Sequence, residues 1–322
     1  MEPVLVSTKF QKSFSSTSML NPRNLQNQIE ASICKSKKFI DTYLLLHPDV
    51  LSFLTNGKRL RSKFILHSKW NQNQKLVKAL ASLVELTHAS SLIHDDIVDE
   101  SSFRRGLPTA FRLLPVPYAC SIGYLLFSTI FLRIIQMKNH IFEHYFQTVT
   151  DMCIGQIQEI ESSHVQYRTL DQYFECIKNK TASLFSFSFG VADKEWDQDK
   201  AKIGLKFGIA FQVLDDLYDV TLSTQKTGKP ILQDEKSGVM TLPFILMGKR
   251  HGTSLNQDVI DESKKIALDF LPVDPIPIFP IEWKKEFQLL SDKINRVFYC
   301  TSHTLSNTEN NKNFPLSDQT GE

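Results

Sequence analysis

Three aspartates, Asp95, Asp96 and Asp99, crowd the stretch HASSLIHDDIVDESSFRRG, residues 88–106. On a helix, Asp95 and Asp99 are four apart and lie one above the other on one face. Asp96 is about 100° round the axis from Asp95 at 3.6 residues per turn. Carboxylates this close repel one another, and a hard divalent cation relieves the repulsion. Mg²⁺ takes oxygen ligands, keeps several waters and is commonly held by one or two carboxylates plus substrate phosphates. Arg104 and Arg105 follow, and a guanidinium fork suits phosphate oxygens.

The D-D-x-x-D spacing returns in FQVLDDLYDV as Asp215, Asp216 and Asp219. A single copy reads most simply as a solvated acidic helix face. Two copies read differently, because each is embedded in apolar residues: Leu92, Ile93, Ile97 and Val98 around the first, Phe211, Val213, Leu214, Leu217 and Val220 around the second. Such helices are packed, and carboxylates on packed helices need a metal or another cation as partner.

Further motifs stand in order along the chain: GKRLR (57–61), His88, GQIQE (155–159), KT (180–181), GK (228–229) and TLP (241–243). Gly57 lets the backbone turn, and Lys58, Arg59 and Arg61 then stand near a helix start, a natural anion site. With both aspartate motifs, this text resembles that of the trans-isoprenyl (polyprenyl) diphosphate synthases of the long-chain type, from about Gly57 to Pro243. The chain departs from that family's pattern at Asn56 and Ser62, at Tyr124 where an Asp is usual, and at Val239 where a Lys is frequent.

The resemblance implies an all-α fold, the isoprenoid-synthase helical bundle around a deep central cavity, with the two Asp-rich helices facing across its mouth. It implies a prenyltransferase that condenses isopentenyl diphosphate with an allylic diphosphate by Mg²⁺-assisted ionisation. Asp95, Asp96, Asp99, Asp215, Asp216 and Asp219 would hold Mg²⁺, three ions in the family. Lys58, Arg61, His88 and Arg105 would hold isopentenyl diphosphate. Lys180, Thr181, Gln212, Lys229 and Arg104 would serve the allylic diphosphate, with Lys180 also catalytic. Ser90 and Thr87 occupy the chain-length positions. Both are small, so the tunnel is expected to stay open and the product to be a long-chain polyprenyl diphosphate delivered to a membrane, a quinone side-chain precursor. A homodimer is the default, and a heteromer with a second subunit the alternative. A terpene cyclase is the weaker rival, since it needs no isopentenyl diphosphate pocket.

Composition agrees with a helical reading. Only 12 of the 322 residues are Gly, below the usual share of about 7%. Hydrophobic residues make up 42% and the formal net charge is +2, which excludes a disordered chain and gives no global charge for nucleic acid. The five cysteines are scattered, with no C-x-x-C, as expected in a reducing compartment. The expected location is cytoplasmic, with mitochondrial as the alternative.

Along the chain, 1–20 reads as a flexible N-terminal arm, 21–301 as the synthase domain and 302–322 as a disordered tail. Helices are expected over 24–54, 62–70, 75–100, 140–161, 169–192, 197–222 and 281–300. The uncharged run 113–132 is broken early by Pro115 and Pro117 and reads as a buried core helix in preference to a membrane span. Phe185, Phe187 and Phe189 alternate within an expected helix, so packing on neighbours is preferred to a strand. Lys226, Gly228 and Lys229 lie in a loop expected to close over bound phosphates.

Overall fold

The computed structural model describes residues 57–68, 74–135, 141–163, 167–192, 195–221, 238–249, 255–272 and 279–298. The expected arm, the helix over 24–54, the phosphate loop with Lys229 and the C-terminal tail lie outside them. The helices are α1 (Leu60–Leu66), α2 (Gln74–Val98), α3 (Ala110–Leu113), α4 (Val116–Ile135), α5 (Ile141–Glu161), α6 (Leu170–Ile177), α7 (Ser183–Gly190), α8 (Gln198–Thr221), α9 (Leu242–Lys249), α10 (Gln257–Asp269) and α11 (Ile281–Asn295). A π-helical turn, Lys178–Ala182, joins α6 to α7. The fold is all-α, as expected, apart from a small hairpin in which β1 (Phe103–Arg104) pairs antiparallel with β2 (Leu107–Pro108). Its turn residues Arg105 and Gly106 have φ of 54° and 76°, the double left-handed geometry that matches strand twist.

Helix α7 is the axis of the molecule. Apart from Ser186, every residue from Ser183 to Gly190 is buried. Phe185 and Phe189, four apart, face one core with Phe64, Phe207, Trp283 and Phe287. Leu184 and Phe187 face a second core built on α2, α4 and Tyr145 of α5. The alternating phenylalanines therefore serve opposite sides of one helix. The Phe64 ring lies 4.2 Å from that of Phe189 and meets Trp283 edge-on at 5.6 Å. Trp283 Nε1 donates to the Phe64 carbonyl at 2.9 Å, so α11 is tied to α1. Buried aromatics of this size dominate core energetics.

The run 113–132 departs from its expectation of a buried core helix. Helix α4 starts at Val116, with Pro117 in the first turn, where no N–H is needed. It buries Ala119, Ile122, Leu126, Ile130 and Ile134 and exposes Tyr124, Phe131 and Leu132. Apolar on all sides, it has two faces to bury, and one chain covers only one. Helix α5 exposes Phe146, Ile154, Ile157 and Ile160, and the Phe131 and Phe146 rings stack 5.4 Å apart between the two helices. Among the described residues, α2 is the one helix long and apolar enough to cross a membrane by length and composition. Most of it is buried in the bundle, as befits a core helix.

Helix α8 packs along α7 and the π turn. A Cβ on Gly208 would stand 2.6 Å from Ala182 Cα and 2.8 Å from its Cβ. Backbone would have to move to admit it, a strain of about 1–3 kcal/mol. Gly208→Ala should therefore lower the melting temperature despite alanine's better helix propensity, as thermal unfolding followed by circular dichroism will show.

Candidate active site

Both acidic motifs occupy the last turns of their helices. Helix α2 closes at Val98, and Asp99 N–H still donates to the Asp95 carbonyl at 2.8 Å. Helix α8 runs two residues past Asp219 to Thr221. A helix C-terminus carries the negative end of the macrodipole, so acids there are disfavoured, by about 0.3–1 kcal/mol each. Cations relieve this.

Around the first motif the carboxylates take different partners. Asp96 is buried and accepts from Arg104 Nε at 2.7 Å. Desolvation raises Asp95, opposed by Lys180 and Arg104. Desolvation likewise raises Asp99 to about 6, with Lys180 opposing and Glu159 and Asp95 adding to the rise. Lys180, from the π turn, pairs with Glu159 of α5. Burial disfavours this ammonium, but Asp95, Glu159 and Asp99 together hold it protonated. Its position is set by close packing: a Cβ on Gly155 of α5 would collide with the Lys180 backbone. Short π segments of this kind recur at functional sites.

Around the second motif, Asp216 is buried while Asp215 is exposed. Tyr173 of α6 donates its hydroxyl to Asp216 Oδ2 at 2.6 Å, and Gln212 Nε2 donates to Oδ1 at 2.8 Å. Thr181 Oγ1 donates to Gln212 Oε1 at 2.8 Å. Desolvation pushes Asp216 up to about 7 despite the Tyr173 and Gln212 bonds, and Asp215 and Glu159 add to the rise.

The basic side is built from α1, α2 and the hairpin. Burial drives His88 well below its ordinary value, and Arg61, Arg105, Arg104 and Arg59 push it the same way. The imidazole is therefore neutral amid four guanidinium groups. Arg61 is lowered to about 10, chiefly by burial. Its guanidinium lies over the Phe185 ring at 4.2 Å, and its buried Nε has no hydrogen-bond partner. Arg59 pairs with Glu85 at 3.5 Å, and Glu85 also accepts from Ser62 N–H at 3.1 Å. Lys58 is exposed. Arg59 and Arg105 both hold left-handed backbone, φ 52° and 54°, a conformation that costs about 1–3 kcal/mol for residues with a Cβ. Asp215 lies close enough to Arg61 and Arg105 to raise both, so the basic side adjoins the second acidic motif.

The chain-length positions are fully buried. Ser90 Oγ donates to the Gly123 carbonyl at 2.9 Å, fastening α2 to α4. Thr87 Oγ1 donates to the Leu83 carbonyl at 2.8 Å and meets the Tyr145 hydroxyl at 2.6 Å. Tyr124, where the family has an Asp, is exposed and sits against the His94 ring at 5.2 Å.

Sequence reasoning gave no role to three residues that the structure brings to the site. Glu159 stood in GQIQE as text, and its pairing with Lys180 across two helices is a tertiary fact. Tyr173 reads as one more core aromatic. Lys293, on α11, approaches Lys58 and Asp215 from a stretch with no motif at all.

As a metal site the donors are hard oxygens and suit Mg²⁺. Among the described residues no three ligand side chains stand close enough to hold an ion alone. This fits an ion that keeps its waters and shares a substrate's phosphate oxygens.

Residues 23–266 match the family model described as polyprenyl synthetase. An all-trans-nonaprenyl-diphosphate synthase (geranyl-diphosphate specific) of Rhodobacter capsulatus is 33% identical over 59% of this chain and 61% of its own length. A prenyl transferase of Cyanophora paradoxa is 31% identical over 71% of this chain and 75% of its own. A heptaprenyl diphosphate synthase component 2 of Bacillus subtilis (strain 168) is 31% identical over 59% of this chain and 57% of its own. The chain thus spans less than two thirds of the length of two of these three relatives. In fold it resembles a heptaprenyl diphosphate synthase from Staphylococcus aureus, TM-score 0.71 at 22% identity, over 87% of this chain and all of that one. It also resembles a polyprenyl synthase from Caulobacter crescentus complexed with calcium and isoprenyl diphosphate, TM-score 0.68 at 21% identity, over 88% of this chain and all of that one.

The raised Asp216 carries a pH signature. Its folded value, about 7, lies above the roughly 3.9 of an unfolded Asp, so the folded state binds the extra proton between these values. The stability this confers is complete below about pH 4 and is lost as pH rises through about 7. In metal-free buffer the melting temperature of the parent should fall more between pH 5 and pH 8 than that of Asp216→Asn, whose amide cannot ionise. Thermal melts of both proteins at the two pH values check this.

Proposed function

This chain belongs to the polyprenyl synthetase family, and from that premise we propose that it joins isopentenyl diphosphate to an allylic diphosphate and makes a long-chain trans-polyprenyl diphosphate. The observation that carries the reading is the opposition of charge within one site. Four guanidinium groups surround a neutral His88 on one side, and Asp95, Asp99 and Glu159 surround Lys180 on the other. A pocket divided in this way takes one diphosphate directly on cations and a second through divalent ions.

Asp95 and Asp99 from α2, with Asp215 and Asp219 from α8, would hold Mg²⁺, three ions by family analogy, whose chemistry is to neutralise charge building on a departing diphosphate, while Asp96 and Asp216 stand behind them on Arg104 and on Tyr173 and Gln212. The complex of the Caulobacter structure with calcium and isoprenyl diphosphate supports hard-cation chemistry. Lys180 adds a fixed positive charge, preorganised by Glu159, where that oxygen charge develops. Arg104 does the same from behind Asp96. Lys58, Arg61, His88 and Arg105 hold isopentenyl diphosphate with its double bond towards the allylic C1. The C–O bond of the allylic diphosphate breaks and the isopentenyl π electrons form the new C–C bond. A proton then leaves the adjacent carbon for the departing diphosphate, restoring an alkene five carbons longer. Thr181 and Gln212 orient Asp216, and Lys229, which follows α8 in the sequence, is assigned to the allylic diphosphate. The small Ser90 and Thr87 side chains support an elongated product, delivered to a membrane as a quinone side-chain precursor.

The apolar face of α4 and α5 supports a dimer, since exposed patches of this kind mark interaction surfaces. A second copy is the default partner. The alternative is a different subunit, with this chain doing little alone, and two features favour it: Tyr124 on that face in place of the family's Asp, and the relative named component 2. The proposed location is cytoplasmic, with mitochondrial as the alternative. Cys120, Cys153 and Cys176 are free thiols, in keeping with a reducing compartment.

The test is a product assay of the purified chain with Mg²⁺, labelled isopentenyl diphosphate and farnesyl or geranylgeranyl diphosphate. A ladder ending in long polyprenyl chains is expected, and Asp95→Asn should cut turnover by orders of magnitude while staying folded. A cyclic hydrocarbon would overturn the reading in favour of a cyclase, and no incorporation by folded protein would transfer it to a subunit that needs its partner.

A further inference from the structure

Asp216 stands on the wrong face of its helix for a surface acid. Val213, Leu217 and Val220 share that face and are buried with it, and Asp216 itself is 3% exposed. A buried carboxylate is costly unless hydrogen bonds replace its water. Here both oxygens are occupied: Oδ2 by the Tyr173 hydroxyl at 2.6 Å and Oδ1 by the Gln212 amide at 2.8 Å. Thr181 Oγ1 donates to the Gln212 oxygen, and the NH₂ end is turned to Asp216. An O–H to carboxylate bond of this length belongs to the strong, charge-assisted class.

Tyr173 is itself immobilised. It is 1% exposed and sits in the first turn of α6. That turn is fixed by a capping box in which the Thr169 side chain accepts from Gln172 N–H and the Gln172 side chain accepts from Thr169 N–H. Arg168, just before the cap, lies 5.6 Å over the tyrosine ring and donates to the Met240 carbonyl at 3.2 Å. An anchored hydroxyl thus reaches across from α6 to α8, beside the point where Asp215 is exposed to the cleft.

We infer that Tyr173 is a positioning residue for the second acidic motif: its hydroxyl, with the Thr181–Gln212 pair on the opposite side, locks the Asp216 carboxylate and so fixes the roll of the end of α8 that presents Asp215 and Asp219 to a divalent ion and its diphosphate. The inference rests on the metal-site reading of the proposed function. It assigns no proton transfer and no substrate contact to Tyr173. Loss of such an outer partner typically costs 10–100-fold in metal affinity or activity.

Tyr173→Phe removes the hydroxyl and keeps the ring, so the packing of α6 is retained. The readouts are Mn²⁺ binding by electron paramagnetic resonance with inorganic diphosphate present and no turnover, kcat and the KM for isopentenyl diphosphate, and the melting temperature. The expected result is an Mn²⁺ affinity and a kcat each reduced about tenfold or more. The isopentenyl diphosphate KM should stay within twofold, since its guanidinium pocket is built by other elements, and the melting temperature should stay within a few degrees. Mn²⁺ affinity within twofold of the parent overturns the inference, as does a loss of kcat with a matching collapse of the melting temperature. If Tyr173→Phe does not fold, Thr181→Val breaks the latch from its other end: weaker Mn²⁺ binding by folded protein supports the inference, and unchanged binding overturns it. Failure of the functional reading looks different. A parent that makes no prenyl product but binds Mn²⁺ in a Tyr173-dependent way loses the reaction and keeps the latch.

Discussion

Everything at this site depends on one ammonium group placed among three carboxylates. Burial works against the charge on Lys180, yet Asp95, Glu159 and Asp99 hold it protonated. Burial raises nearby carboxyl groups above their ordinary range, and repulsion from neighbouring acids adds to the rise. Asp99 rises to about 6 and Asp216, behind Glu159, to about 7. A site poised in this way gains more from a divalent ion than a solvated acidic surface would. The surplus negative charge is therefore a standing demand for a ligand, written into the packing of α2, α5 and the π turn.

That packing is secured by the absence of side chains. Gly155 on α5 and Gly208 on α8 grip the π turn from two sides, and a methyl group at either would meet backbone. The wide turn displays Lys180 to one acidic motif and Thr181 to the partner of the other. One five-residue segment thus sets the geometry of both halves of the acidic site. Its own rigidity comes from α7, which lies between the two cores and is buried almost throughout.

The sequence made the fold class and the charged text legible, since periodicity and repeated motifs are local properties. Paired D-D-x-x-D motifs on apolar runs announced packed acids, and the structure finds both on buried helices. Roles within a motif were not local. Text treats Asp95, Asp96 and Asp99 alike, whereas folding turns Asp96 to Arg104 and leaves Asp95 and Asp99 beside Lys180. The second motif divides similarly, Asp216 inward and Asp215 outward. Nor could composition say that α4 buries only one of its two apolar faces, because the expected burial of an uncharged run depends on what stands next to it. The contribution of Lys293 was hidden for a further reason: α11 reaches the site through the Trp283 to Phe64 tie, a contact between residues 219 apart.

The two sides of the pocket also differ in how tightly they are built. On the basic side, charge is concentrated by backbone bent against preference, with Arg59 and Arg105 in left-handed conformation, and by Arg61 held over Phe185 with a buried Nε still lacking a partner. Guanidinium groups gathered in this way repel one another, and only an anion offsets the cost. On the acidic side the corresponding cost is carried by protonation, which a carboxyl group can accept and a guanidinium cannot. The basic half therefore keeps its charge at any physiological pH. The acidic half titrates, with Asp99 raised to about 6 and Asp216 to about 7. The two halves therefore answer pH differently: the acidic half gains charge as its carboxyl groups lose protons, and the basic half stays as it is.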